Sequence, residues 1–354
     1  MMELFELVVA LVVILIAAEL FTNGIEWFGR RLNLAEGAVG SVLAAVGTAL
    51  PETMIPLVAI IFATQSADPS AAQHIGVGAI LGAPFMLATL AMFVTGLGVI
   101  LSARRRPTGR RMVVDTKVLG MDIRYFFAAY GIAVAAALVP ADLVILRYAA
   151  IVLLIGIYAW YVKKHFEADP TVDATDLAPL RFHRVDRRAF RSDPQVPRLR
   201  VINAQVLVAL AMIIGGAVFF VDAVEHIATS AGLDPALLAL VIAPIATELP
   251  EKFNSLIWVR QGKDTLAMGN ITGAMVFQSC IPTAIGVVLA ASAWTITSDT
   301  LISFASAGIA FISTAAIFLP MIRRGTLSGG HLLIGGLFYA AYLAVVVAFL
   351  AGMV

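Results

Sequence analysis

The stretches Val46-Gly-Thr-Ala-Leu-Pro-Glu52 and Ile245-Ala-Thr-Glu-Leu-Pro-Glu251 each place Thr-x-x-Pro-Glu inside a long apolar run. A charged side chain at the centre of a membrane helix costs roughly 3 kcal/mol, so a glutamate carried twice in the same local setting points to a cation or proton that offsets the cost. The rest of the chain has to be read around these two acids, and it reads as an ion transporter.

Composition fixes the class. The 354 residues are 60% hydrophobic and 13% charged, with a mean hydropathy of +0.94. Apolar runs of about 20 residues recur from end to end, long enough to cross a hydrocarbon core of roughly 30 Å. The net charge of +1 hides a strong segregation of basic residues and gives no indication of a nucleic-acid partner. Cys280, the single cysteine, lies in an apolar segment and reads as a buried, inert thiol. The first apolar run follows Met1-Met-Glu3 without a positive leader, so it is expected to be a first spanning helix and not a cleaved signal peptide.

Runs bounded by charge, Gly or Pro give about ten spans, at 5–21, 37–64, 74–102, 121–139, 142–162, 201–224, 234–259, 264–291, 298–320 and 330–353. Basic residues follow every odd span: Arg30 and Arg31, the group from Arg104 to Lys117, the cluster from Lys163 to Arg200, Arg260 with Lys263, and Arg323 with Arg324. The alternate connections, around 65–73, 139–141, 225–233 and 292–297, have no Lys or Arg. Positive charge stays inside, which predicts cytoplasmic basic loops and both termini outside. The expected class is an all-α, multi-pass integral protein of a bacterial or archaeal plasma membrane.

Residues 164–200, rich in Arg, Asp and Pro, divide the spans five and five. They are too short for a domain with its own core and read as a cytoplasmic linker whose basic part can lie on anionic lipid. Residues 1–163 and 201–354 then form two repeats. Sliding 23–52 onto 222–251 without a gap pairs Asn23 with Asp222, Glu26 with Glu225, Thr48 with Thr247 and Leu50-Pro-Glu52 with Leu249-Pro-Glu251. Further on, Gly78-Ala-Ile-Leu-Gly82-Ala83 falls on Gly269-Asn-Ile-Thr-Gly273-Ala274. Five spans per repeat is odd, so the second five-helix repeat is expected to be inverted, with a site near the midplane and the means for alternating access.

In a helix Thr48 and Glu52 share one face, as do Thr247 and Glu251. Pro51 and Pro250 cannot donate to the carbonyls of Gly47 and Ala246, which frees two further oxygens. Carboxylates, hydroxyls and carbonyls are hard ligands suited to Ca²⁺ or Na⁺, and protons compete for the same carboxylates.

These segments, with Gly262-Lys-Asp-Thr-Leu-Ala-Met-Gly-Asn-Ile-Thr-Gly273, resemble the alpha repeats of the cation/calcium antiporter superfamily, the sodium/calcium exchanger type especially. The resemblance implies a ten-helix inverted-repeat fold with a central cation site. Glu52 and Glu251 match the family's ion-binding glutamates, and Thr48 and Thr247 its hydroxyl positions. Two departures stand out. Gly82-Ala83-Pro84 and Gly273-Ala274-Met275 replace the family's Gly-Ser-Asn or Gly-Ser-Asp, and Ala79 falls opposite Asn270. Side-chain ligands therefore remain chiefly on the second repeat, as Asn270, Thr272 and Gln278. Glu248 replaces a small residue, and Lys252 lies four residues on, a spacing suited to an ion pair; its ammonium can stand in for one bound monovalent cation, or the two can form a structural pair outside the pathway.

Other candidates have plainer readings. Glu19, Glu26, Asp222 and Glu225 read as interfacial or packing residues. The five histidines, at 74, 165, 183, 226 and 331, show no metal-ligand spacing and read as surface residues. The Gly78/Gly82 and Gly269/Gly273 pairs read as close-packing positions.

The expected function is secondary antiport of Ca²⁺ or a similar cation against Na⁺ or H⁺, with no cofactor and no obligate protein partner beyond the bilayer. The alternative is a monovalent cation/proton exchanger without calcium selectivity. A channel would conduct without a counter-ion. The motifs of intramembrane enzymes and of ATP-binding loops are missing from the sequence, which disfavours an enzyme or a pump.

Overall fold

A chain inside a bilayer must satisfy its backbone hydrogen bonds internally, and in the computed structural model the apolar runs do so as helices. The structure describes residues 2–32, 39–61, 69–140, 143–167, 177–183, 197–231, 249–298 and 300–350. Helix α1 is Met2–Arg31. A π-helical turn, Val39–Ala44, leads into α2, Ala45–Ile61. Helix α3, Pro69–Met86, continues through a second π turn, Leu87–Ala91, into α4, Met92–Ser102. Then follow α5 (Thr116–Ala137), α6 (Val144–Phe166), α7 (Leu199–Ala231), α8 (Leu249–Arg260) and α9 (Asp264–Leu289). The chain closes with α10 (Leu301–Arg324), the short α11 (Gly329–Leu332) and α12 (Ile334–Leu350).

Eight of the described stretches are long and apolar enough to cross a membrane, and α2 with its preceding turn, bent by 61°, brings the number to nine if the bent pair is counted as one span. Most of the predicted seventh span, 234–259, lies outside the described residues; its last part is α8. Local chemistry sets several boundaries. The Asp115 carboxylate accepts from the amides of Lys117 and Val118 at the start of α5. Gly325, at φ +67°, ends α10 in the left-handed conformation that glycine adopts without strain.

Helix α9 is the centre of the bundle. It packs against α2, α3, α5, α6 and α8, and it is buried along most of its length. Helices α1 and α7 pair along their length and run antiparallel, with Gly24 beside Val206 at one end and Gly216 beside Ile14 towards the other. They meet the rest of the bundle chiefly through α2.

The connections sort onto two faces. On one, the loop after α4 is tied to its neighbours. Its strand β1, Arg111–Met112, pairs antiparallel with β2, Leu327–Ser328, and Arg106 reaches Asp264 at the start of α9. On the other, Arg147 donates to the carbonyls of Ala291 and Val139, while Ser292 bonds Gln73. The Lys/Arg-bearing connections that meet in this way share the first face. The predicted linker is more than a tether, because Leu180 is buried with Trp27 and Ile202. Asn23 and Trp27 donate to the Ala178 carbonyl, and Gln205 accepts from the Phe182 amide, so residues 177–183 strap the ends of α1 and α7 together.

Candidate cation site

Pro51 has no amide proton for the carbonyl four residues back, and the chain bends by 61° between Ser41–Gly47 and Glu52–Ile61. Glu52 follows directly and is buried at 8% exposure. Gly47 is buried in the same stretch. The bend is held from two sides: the Ala49 carbonyl accepts from Thr53 Oγ1 at 2.8 Å within the helix and from Gln278 Nε2 of α9 at 3.2 Å. Gln278 Oε1 is buried and accepts no hydrogen bond from the described residues, an oxygen of the kind a hard cation takes.

Asn270 is fully buried on α9, and Lys252 is buried at 7% exposure on α8. Thr48 lies in α2 and Glu251 in α8, but their side chains are outside the described part; Ala246, Thr247 and Glu248 lie outside the described residues altogether. Among the described residues no three His, Cys, Asp or Glu side chains converge.

The second glycine pair packs as the sequence predicts. A Cβ on Gly269 would lie 2.8 Å from Ser41 Oγ, and one on Gly273 would lie 2.1 Å from the Ser41 carbonyl oxygen. The π turn before α2 therefore rests directly on the backbone of α9, on either side of Asn270. Cys280 is fully buried. Pro84 and Met275 are buried at the positions where the family resemblance implies amides or carboxylates.

One prediction needs correction. His165 is not a surface residue: it is 1% exposed, and its Nε2 lies 3.0 Å from Asp122 Oδ1. It sits on the inward face of the last turn of α6, whereas its neighbours Lys163 and Lys164 face outward. The Thr272 hydroxyl shares its one proton between Asp122 Oδ2 at 2.6 Å and the Met268 carbonyl at 3.0 Å, which orients its oxygen and leaves the lone pairs on it. Asp122 itself escaped the sequence reading. It is fully buried and also meets Ser41 Oγ at 3.3 Å and the Tyr161 hydroxyl at 3.0 Å. The signal for it is an acid near the start of an otherwise apolar span.

A family model described as "Sodium/calcium exchanger protein" matches residues 3–163 and 203–351. The chain belongs to this family. Within sodium/calcium exchanger relatives, a protein of Alkalimonas amylolytica named "Putative antiporter CaxA" is 25% identical over 325 residues, covering 90% of this chain and 89% of its own. The structure of "H+/Ca2+ Exchanger CAX" matches with a TM-score of 0.75 at 15% identity, over 96% of this chain and 82% of that one. The sodium-calcium exchanger NCX_Mj soaked with Na⁺ and Sr²⁺ matches with a TM-score of 0.62 at 17% identity, over 97% of each chain. These likenesses establish the all-helical membrane fold of the family for this chain.

Proposed function

We propose that the protein is a secondary antiporter, not an enzyme, that exchanges Ca²⁺ or a similar cation for Na⁺ or H⁺ by alternating access. The observation that carries this reading is Glu52 buried at a proline bend, in a motif whose second copy ends at Glu251. The ligand set we assign is the two glutamates, the hydroxyls of Thr48 and Thr247, the carbonyls of Gly47 and Ala246, and Asn270, with Glu248 next to the site. Gln278 Oε1 is a further candidate oxygen. Two carboxylates balance a divalent charge, and competition with monovalent ions and protons for the same oxygens supplies coupling.

The antiparallel course of α1 and α7, the first helix of each sequence repeat, supports the inverted arrangement over 1–163 and 201–354. The convergence of basic connections on one face supports placing that face, and the 164–200 linker, in the cytoplasm.

The second reading, monovalent cation/proton exchange, draws support from Pro84 and Met275, which together thin the ligand set. Uptake into proteoliposomes under imposed Na⁺, K⁺ and pH gradients tests both. Ca²⁺ flux driven by a counter-gradient and abolished by Glu52→Gln and Glu251→Gln is the expected result. Flux that survives both substitutions overturns the site. Sodium-dependent proton flux without Ca²⁺ binding at millimolar concentration establishes the second reading in place of the first.

A further inference from the structure

An ionised carboxylate only accepts hydrogen bonds and has about four lone-pair positions. Asp122, fully buried, is met by four groups: Ser41 Oγ and Thr272 Oγ1 on one oxygen, Tyr161 Oη and His165 Nε2 on the other. They come from the π turn before α2, from α9 and from α6, while Asp122 belongs to α5. Tyr161 Oη also lies 3.1 Å from the Ser41 carbonyl, so its one proton is shared between that oxygen and Asp122, and the His165 ring packs edge-on against Tyr161 with centroids 4.6 Å apart. One side chain thus joins four segments.

Two of those segments carry candidate cation ligands. Ser41 stands at the head of the bent segment that contains Gly47, Thr48 and Glu52; Thr272 is two residues from Asn270. Both hydroxyls converge on the same oxygen of Asp122, and the missing side chains of Gly269 and Gly273 let Ser41 sit against α9 at that point. The next tie along the seam is the bond from Gln278 to the Ala49 carbonyl. Gly47 and Thr48 fall between these two fixed points. Acids inside a span are expensive, and helix packing alone is achieved more cheaply by apolar side chains.

We propose that Asp122 is a positioning residue of the cation site: it holds the bent Glu52 segment in register with the Asn270-bearing helix, and His165 with Tyr161 hold the carboxylate. The inference rests on the cation site of the proposed function, since the register matters only if both segments share one ion.

The test compares wild type, Asp122→Asn, Thr272→Val and Thr272→Ser as full-length protein. Ca²⁺ flux in proteoliposomes gives KM and maximal rate, and radiolabelled Ca²⁺ binding to purified protein gives affinity without transport. Groups that orient metal ligands are worth about 10 to 100-fold in affinity when removed. Asp122→Asn and Thr272→Val are expected to weaken Ca²⁺ by about tenfold or more, with the maximal rate little changed, and Thr272→Ser, which keeps the hydroxyl, to behave as wild type. Unchanged affinity in both Asp122→Asn and Thr272→Val overturns the proposal. So does a loss that only tracks the amount of folded protein, or equal behaviour of Thr272→Ser and Thr272→Val. If Asp122→Asn fails to fold, the Thr272 pair still decides. A wild type that binds Ca²⁺ but does not exchange it sinks the antiporter reading alone, because the binding comparison stands; one that neither binds nor moves Ca²⁺ or Na⁺ sinks both.

Discussion

Arg106 and Asp264 form a two-bond ion pair, Nη1 to Oδ1 at 2.9 Å and Nη2 to Oδ2 at 2.8 Å, with both side chains buried. Arg106 also donates to the carbonyls of Val259, Gly109 and Arg111, and Asp264 accepts from the Val113 amide. The pair therefore pins the loop after α4 to the junction of α8 and α9. Removing one partner leaves a buried charge uncompensated, at about 3–5 kcal/mol. Arg106→Met is expected to lower the unfolding midpoint in detergent strongly. Glu167→Gln, which breaks half-exposed pairs with Lys163 and Lys164, is expected to cost less than about 1 kcal/mol. Equal melting of the two variants would show that the buried pair has no structural role.

A second prediction concerns contact distance. Gly273→Ala puts a methyl group 2.1 Å from the Ser41 carbonyl oxygen, so α9 and the π turn must separate. Overpacking of this kind costs about 1–3 kcal/mol, and the shift falls on the seam that the proposed cation site needs in register. Gly308→Ala, on α10 with open space around it, is the control and is expected to be neutral or stabilising by up to about 1 kcal/mol. Thermal melts and flux assays on both variants check the pair; a Gly273→Ala protein as stable and active as Gly308→Ala contradicts the contact.

The helices, the proline bend and the close-packing glycines were legible in the sequence because each has a local cause. Apolar length produces a span, a missing amide produces a bend, and a missing Cβ permits contact. The Asp122 cluster was not legible, since hydropathy averages around a helix and does not tell which face a residue takes. His165 follows two lysines and looks like part of their exposed patch, yet it lies on the opposite face. Its partner Asp122 is 43 residues away, and no local pattern links them. The docking of Leu180 between α1 and α7 was hidden for the same reason, in a segment whose composition resembles a simple connector. Thr272 shows the same limit: its place in the motif is local, while the Asp122 oxygen to which its hydroxyl donates lies on a neighbouring helix.

Pro51→Ala separates bending from stability. Alanine supplies the amide that proline lacks and favours a continuous helix by up to about 3 kcal/mol in intrinsic propensity. The expected variant is at least as stable as wild type but exchanges poorly, because the Gly47 carbonyl returns to the helix and Glu52 swings with the straightened segment. Native exchange rates in a stable Pro51→Ala protein would mean that the bend does not serve the site.

Lys252 offers a test of charge. Its side chain is buried at 7% exposure, one residue after Glu251, and a cation inside a span costs roughly 3 kcal/mol unless negative charge is close by. If its ammonium fills the place of one monovalent ion, Lys252→Ala leaves that charge to be supplied from solution, and the variant is expected to carry one more monovalent cation per cycle. The reversal potential of Ca²⁺ flux, measured in proteoliposomes under opposed Na⁺ and membrane-potential gradients, reports that stoichiometry directly. A variant that transports with an unchanged reversal potential assigns Lys252 to structure, and with it the neighbouring Glu248.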